Sequence, residues 1–240
     1  AGLDDAGTVR LLSVLNWLAT HPDSGLWERE LPVPGVDTKW WERNRSLVGP
    51  LAAAITGEDG AGLRRAGIVF LVRVLDPALT AGPSEFGVDL PGLKQLDLAP
   101  ATVLVCENRT TVTTLPPLTG AVAVHGMGFA APTLSEVPWL PERLVYWGDL
   151  DTHGFHILGQ VRRAIPRVRS VLMDADTLRA HAHLTVGEPR PFRGEIGFLT
   201  AAELDALAQV RQGDLRLEQE RIGRDWVRRA LSEAAAERGD

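Results

Sequence analysis

The chain holds one cysteine and one tyrosine, and each scarcity removes a class of chemistry. Cys106 alone cannot form an internal disulfide, which fits a reducing compartment and a cytoplasmic setting. It also leaves no cysteine-based zinc module. Tyr146 lies inside an apolar run, Leu144 to Trp147, a poor place for a nucleophile. No apolar stretch approaches the ~18–20 residues that span a bilayer, so no membrane partner is expected. No basic, apolar leader opens the chain. It begins at Ala1 rather than Met, and a further amino-terminal segment is expected upstream. Positive charge is not in excess either, the formal net charge being -6. That argues against a passive nucleic-acid coat held by overall charge. It does not argue against a metal-dependent nuclease, whose acidic site is screened by its cations.

What is present concentrates at Val145-Tyr146-Trp147-Gly148-Asp149-Leu150-Asp151-Thr152-His153-Gly154-Phe155. An apolar strand runs into two aspartates two residues apart, then a glycine and an apolar helix start. Side chains at i and i+2 on a strand share a face. Asp149 and Asp151 therefore converge at the strand's carboxyl end, where open α/β sheets place their sites. Two carboxylates about 4 Å apart repel by roughly 4 kcal/mol at an effective dielectric near 20. A hard, oxygen-seeking Mg²⁺ or Mn²⁺ would offset that.

The rest of the chain divides by texture. Residues 1–75 read as a small α+β domain. Thr8 to Leu18 has helical spacing, ended by turn chemistry at His21-Pro22-Asp23-Ser24-Gly25. A second helix opens on Asp37 and carries Lys39, Arg43 and Arg45. Helix, turn and a second helix bearing cations is a winged-helix-like pattern, with those three as candidate contacts to DNA phosphates; a solvated helix face explains them as well. Trp17, Trp27, Trp40 and Trp41 are assigned to its core. Ile68 to Leu75 is a β-rich run. Residues 76–100, rich in Pro, Gly and Asp, read as a connecting segment with little regular structure.

Residues 101–240 alternate strands with helices, which implies βαβ crossovers and a mostly parallel, Rossmann-like sheet. Expected strands are Thr102 to Cys106, Ala121 to His125, Leu144 to Trp147 and Ser170 to Met173, followed by polar helices over 201 to about 237. Glu107, Asp149/Asp151 and Asp174 each follow a strand, so all could meet along one sheet edge. The plainer alternative is that they cap the following helices, and for Asp174 and Asp176 that alternative is preferred. His153 could contact a phosphate, and Arg162 and Arg163 could line a DNA channel. The Arg216-Leu217-Glu218-Gln219-Glu220-Arg221 run could simply support a helix through i,i+4 pairs.

A glutamate after the first strand, a D-x-D-x-x-G after the third and a glycine-bearing turn between them resemble the Toprim domain. Finer features resemble the JetD family of Wadjet plasmid-defence systems. They are Cys106-Glu107-Asn108, Leu115-Pro116, Tyr146 to Phe155 and the Arg216 to Arg221 run, with Gly35-Val36-Asp37-Thr38-Lys39-Trp40 and Trp41-Glu42-Arg43 upstream. Many Toprim proteins follow the glutamate with glycine, whereas Asn108 stands here.

The resemblance implies a Toprim nuclease domain preceded by a winged-helix-like domain, cleaving plasmid DNA beside an SMC-type, JetABC-like complex as a homodimer. It implies that Asp149 and Asp151 hold Mg²⁺ or Mn²⁺, and that Glu107 shares the ion or moves a proton. Glu218, before Glu220, is the additional metal candidate. Rival readings are a topoisomerase VI-like break-and-rejoin enzyme, disfavoured because Tyr146 is the sole tyrosine, and a non-catalytic DNA-binding module.

Overall fold

The computed structural model describes residues 4–57, 62–64 and 67–236. The chain forms two compact units, 1–67 and 68–240. In the first, Asp4 caps helix α1 (Asp5–Thr20) and Asp37 caps α2 (Thr38–Thr56), each accepting from a backbone N–H of the first turn. The apolar faces of the two helices share a core built on Val14, Leu18, Trp41, Val48 and Ala52. Trp40 joins that core, and Trp17, half-buried, packs against it and stacks on His21, but Trp27 is exposed. Among the described residues of this unit the β pairing is one isolated bridge, Trp27 with Arg64. The two helices of the expected winged helix are therefore present, without a described wing.

The second unit is built on a six-stranded sheet. Its strands in chain order are β1 (Val69–Val74), β2 (Glu85–Asp89), β3 (Thr102–Cys106), β4 (Ala121–His125), β5 (Arg143–Trp147) and β6 (Arg169–Ser170). They lie in the order β2-β1-β4-β3-β5-β6. The four strands from β4 to β6 are parallel, while β1 runs antiparallel to both β2 and β4. The 68–75 run thus belongs to this sheet and not to the amino-terminal unit. Residues 76–100 are not bare connection: they supply β2 and a short helix α3 (Leu90–Lys94). A hairpin whose loop is full of Pro and Gly looks, in sequence, like a linker.

β3 is buried along its whole length, as a central strand covered on both faces must be. The chain leaves it for β4 on one side and then crosses to β5 on the other. The strand order reverses there, which makes the β3/β5 boundary a switch point of the kind where open α/β sheets bind their ligands. Helices α4 (Arg109–Thr114) and α5 (Thr152–Ala164) follow β3 and β5. Phe155 and Leu158 anchor α5 without exposed surface, each contributing about 1.5–3 kcal/mol by burial.

Two expectations need correction. The fourth parallel strand ends after Ser170, because Leu172 takes a positive φ of 60° and turns the chain out of the ladder. The carboxyl-terminal segment is broken: α7 (Ala201–Gly213) and α8 (Arg224–Ala236) flank a two-residue strand β8 (Leu215–Arg216). That strand pairs with β7 (Val186–Gly187), and α6 (Ala175–Ala180) precedes it. The RLEQER run is therefore a strand and a 3-10 turn, not a helix with i,i+4 pairs. Among the described residues no helix is long and apolar enough to cross a membrane.

Candidate metal centre

Register places the acids. In the parallel pairing of β3 and β5, Cys106 stands opposite Trp147, and the Glu107 N–H donates to the Trp147 carbonyl at 3.0 Å. The residues after each strand, Glu107 and Gly148, therefore emerge side by side. A methyl group on Gly148 would stand 2.9 Å from Glu107 Oε2 and 3.0 Å from the Tyr146 hydroxyl. Glycine there makes room for the glutamate. Glu107 Oε2 accepts from the Asp149 N–H at 3.3 Å and from the Tyr146 hydroxyl at 3.4 Å. The His125 ring, at the end of β4, lies 2.8 Å from the Glu107 carbonyl.

Beyond Gly148 the chain stays extended. Leu150 exchanges both backbone hydrogen bonds with Leu217, at 2.9 and 3.1 Å, and its side chain is buried. Asp149 and Asp151, one residue either side, turn the other way. Asp149 Oδ1 accepts from the Gln219 N–H at 2.9 Å, and Asp151 Oδ1 accepts from the Gly154 N–H at 2.7 Å, capping α5. The second oxygen of each lies near Arg216: Nη2 is 3.3 Å from Asp149 Oδ2, and Nε is 3.4 Å from Asp151 Oδ2. Capping and clustering are thus not alternatives for Asp151, which does both.

Burial raises the pKa of all three carboxyls. Glu107 is pushed to about 7, first by desolvation and then by the negative charges of Asp149 and Asp151. Desolvation likewise raises Asp149 and Asp151, opposed in part by backbone hydrogen bonds and by Arg216. A carboxyl near neutrality can take or give a proton at working pH. Tyr146 is buried, and its phenol is held well above 10 by desolvation and by Glu107. Burial also pushes the Cys106 thiol up to about 12, leaving it an inert strand residue.

The other candidates divide. Glu218 is beside the acids, Oε1 lying 3.3 Å from Arg216 Nη2 and Oε2 3.1 Å from Arg221; Glu220 is exposed. His153, at the start of α5, lies 2.8 Å from the Arg190 carbonyl. Arg163 is exposed. Arg162 instead forms a two-pronged pair with Glu203 at 2.6 and 2.7 Å and donates to two backbone carbonyls. Its guanidinium is thus engaged by a carboxylate and two backbone carbonyls, whereas Arg163 is exposed. Asp174 caps α6, as the plainer reading has it, through Thr177 N–H at 2.7 Å. Lys39, Arg43 and Arg45 lie on α2 in the first unit, with Arg45 paired to Glu28 at 2.7 Å.

Three residues at the site carry no sequence assignment. Arg216 and Gln219 sit within the quoted RLEQER run, but only the antiparallel Leu150–Leu217 bridge brings them to the acids. Gln219 is buried; its side chain accepts from the Asn108 N–H at 2.9 Å and donates to the Trp147 carbonyl. Glu188 is also buried and accepts from both the Thr152 N–H (3.1 Å) and hydroxyl (2.7 Å). It stands in an irregular segment with no local motif to mark it.

Among the described residues, no three carboxylate, His or Cys side chains are drawn together closely enough to hold a metal ion. A guanidinium already stands against the two aspartates. The donor chemistry nevertheless suits a divalent ion: hard oxygens, excess negative charge, and a resident cation as stand-in.

These features define an α/β protein with a cluster of buried acids around an arginine at the switch point of a largely parallel sheet. Residues 62–231 match the family described as Wadjet protein JetD, C-terminal, and residues 1–53 match one described as an uncharacterized protein conserved in bacteria, N-terminal part. The chain belongs to this JetD family. No curated protein matches it.

Proposed function

We propose that this protein is a metal-dependent DNA endonuclease of a Wadjet defence system, in which a Toprim-type site hydrolyses a phosphodiester bond. Family membership supports the defence role. The observation that carries the chemistry is that Asp149 and Asp151 each have one oxygen held by a backbone N–H and the other facing a cation, with the Glu107 carboxylate on the Asp149 N–H beside them. Asp149 and Asp151 would hold Mg²⁺ or Mn²⁺, with Glu107 or Glu218 completing the set. When bound, such an ion supplies Lewis acidity at the scissile phosphate and acidifies the attacking water.

Glu107 accepts the proton of that water as it attacks phosphorus, the P–O bond to one deoxyribose oxygen breaks, and the departing oxygen takes a proton from solvent water to leave as a hydroxyl. The fixed N–H partners of Asp149 and Asp151 hold their outward oxygens in place, so little reorganisation is needed during the step. Tyr146 is not the nucleophile in this reading: it is buried, keeps its proton and donates toward Glu107. That weighs against a topoisomerase VI-like covalent mechanism. Cutting both strands of a plasmid requires two such sites, hence a homodimer, and an SMC-type JetABC-like complex is the expected partner. Lys39, Arg43 and Arg45 of a winged-helix-like unit, with His153 and Arg163, are the proposed phosphate contacts.

The test is incubation of plasmid with Mg²⁺ or Mn²⁺, alone and with the partner complex, comparing wild type with Glu107→Ala and Asp151→Ala. Metal-dependent nicking or linearisation, lost in both variants, supports the reading. Retained DNA binding without cleavage under every condition would favour a non-catalytic module.

A further inference from the structure

Two arginines in this unit hold carboxylates in contrasting ways. Arg162 meets Glu203 in a close fork, at 2.6 and 2.7 Å, within the usual range of about 2.7–2.9 Å for charge-assisted bonds or shorter. Arg216 meets three acids and fits none of them well. Its contacts to Asp149, Asp151 and Glu218 are 3.3, 3.4 and 3.3 Å. Its Nε is buried without a partner in hydrogen-bonding geometry. The guanidinium acts there as a charge among anions, not as a docked fork.

The oxygens it faces are the ones a cation needs. Asp149 and Asp151 have each committed their other oxygen to a backbone N–H. A divalent ion and the guanidinium cannot both take the outward pair. One positive charge also leaves the surrounding carboxylates in excess, whereas a divalent ion carries two. The backbone beside Arg216 is fixed by the Leu150–Leu217 bridge, while its side chain is 34% exposed and has solvent to swing into.

We propose that Arg216 holds the place of the divalent ion and is displaced from Asp149 and Asp151 when the ion binds. The inference rests on the metal-dependent reading of the site. Ion and guanidinium then compete for the same oxygens, the guanidinium offsetting the repulsion between the two aspartates when it holds them.

The experiment is a Mn²⁺ titration followed by electron paramagnetic resonance, without DNA, on wild type, Arg216→Gln and Arg216→Lys. Thermal unfolding is recorded with and without the ion. Arg216→Gln is expected to bind Mn²⁺ about tenfold more tightly than wild type, within the usual span of coupling between two sites. Arg216→Lys, which keeps the charge, should stay near wild type. The unfolding temperature of the glutamine variant should fall without Mn²⁺ and recover with it, a signature that survives even if this variant is poorly folded in the ion's absence. Equal or weaker Mn²⁺ binding by Arg216→Gln, or binding by Arg216→Lys as tight as that of the glutamine variant, overturns the proposal alone. Absence of Mn²⁺ binding in all three proteins removes both the proposal and the metal reading beneath it.

Discussion

Asp149 and Asp151 are held in the same way: each gives one carboxylate oxygen to a backbone N–H and turns the other toward Arg216. Leu150 between them fixes that arrangement by pairing with Leu217. The site is thus assembled from chain segments far apart in sequence: Glu107 after β3, the aspartates after β5, and Arg216 to Gln219.

The first prediction separates charge from shape. Asparagine is as good a helix cap as aspartate, so Asp151→Asn keeps the bond to Gly154 while removing the charge. Cleavage should fall about a hundredfold or more, as when a transition-state group is lost. Unfolding temperature without metal should hold or rise, since a repelling charge has gone. Asp151→Ala should lose activity and also about 1 kcal/mol of stability with the cap. Paired cleavage and thermal measurements on the two variants check this.

The second concerns pH. Glu107 is raised from 4.5 to about 7 in the folded protein, so the folded state binds more protons than the unfolded one between those values. Stability from this group is then present below about 4.5 and is lost as pH rises through about 7. Asp149 and Asp151 shift in the same direction. Urea unfolding in chelator should show Glu107→Gln with a flatter pH dependence across that window. A wild-type stability that climbs with pH there, unaltered by the substitution, would contradict the assignment.

A third prediction tests the close approach at Gly148. The added methyl of Gly148→Ala meets Glu107 Oε2 and the Tyr146 ring at 2.9 Å, and the glutamate must move. Overpacking of this kind costs about 1–3 kcal/mol. Activity should fall far more than that stability loss explains, with retained circular dichroism as the control.

Arg162→Ala gives the fourth. Its pair with Glu203 is largely buried, so the substitution strands a carboxylate and should cost about 3–5 kcal/mol. The salt dependence of DNA binding should be unchanged at permissive temperature. A loss of DNA affinity in a fully folded variant would support the channel role.

Much of this site was legible in the sequence because its acids follow apolar runs: Glu107 after TVLVC, and Asp149 after the run ending in Trp147. Parallel pairing then makes the adjacency of Glu107 and Gly148 almost unavoidable. What was hidden depended on non-local pairing. Arg216 and Gln219 lie in a run whose charges suit a helix, and only the bridge to Leu150 reveals their place. Glu188 has no periodic neighbours to announce it. The strand at 69–74 reads with the amino-terminal unit in sequence, because a Pro- and Gly-rich loop separates it from its partner β2. Leu172 ended the last strand early through a backbone angle that residue type does not foretell.

The most direct test of the account is cleavage in water enriched in oxygen-18, with Mn²⁺ and a single-turnover DNA substrate, the products being weighed by mass spectrometry after protease-free recovery. Attack by water at the Glu107–Asp149–Asp151 site predicts one labelled oxygen on the newly formed phosphate, with no product retained on protein. Unlabelled ends released only after protease treatment would mean that a side chain attacks phosphorus, and the hydrolytic account would fail.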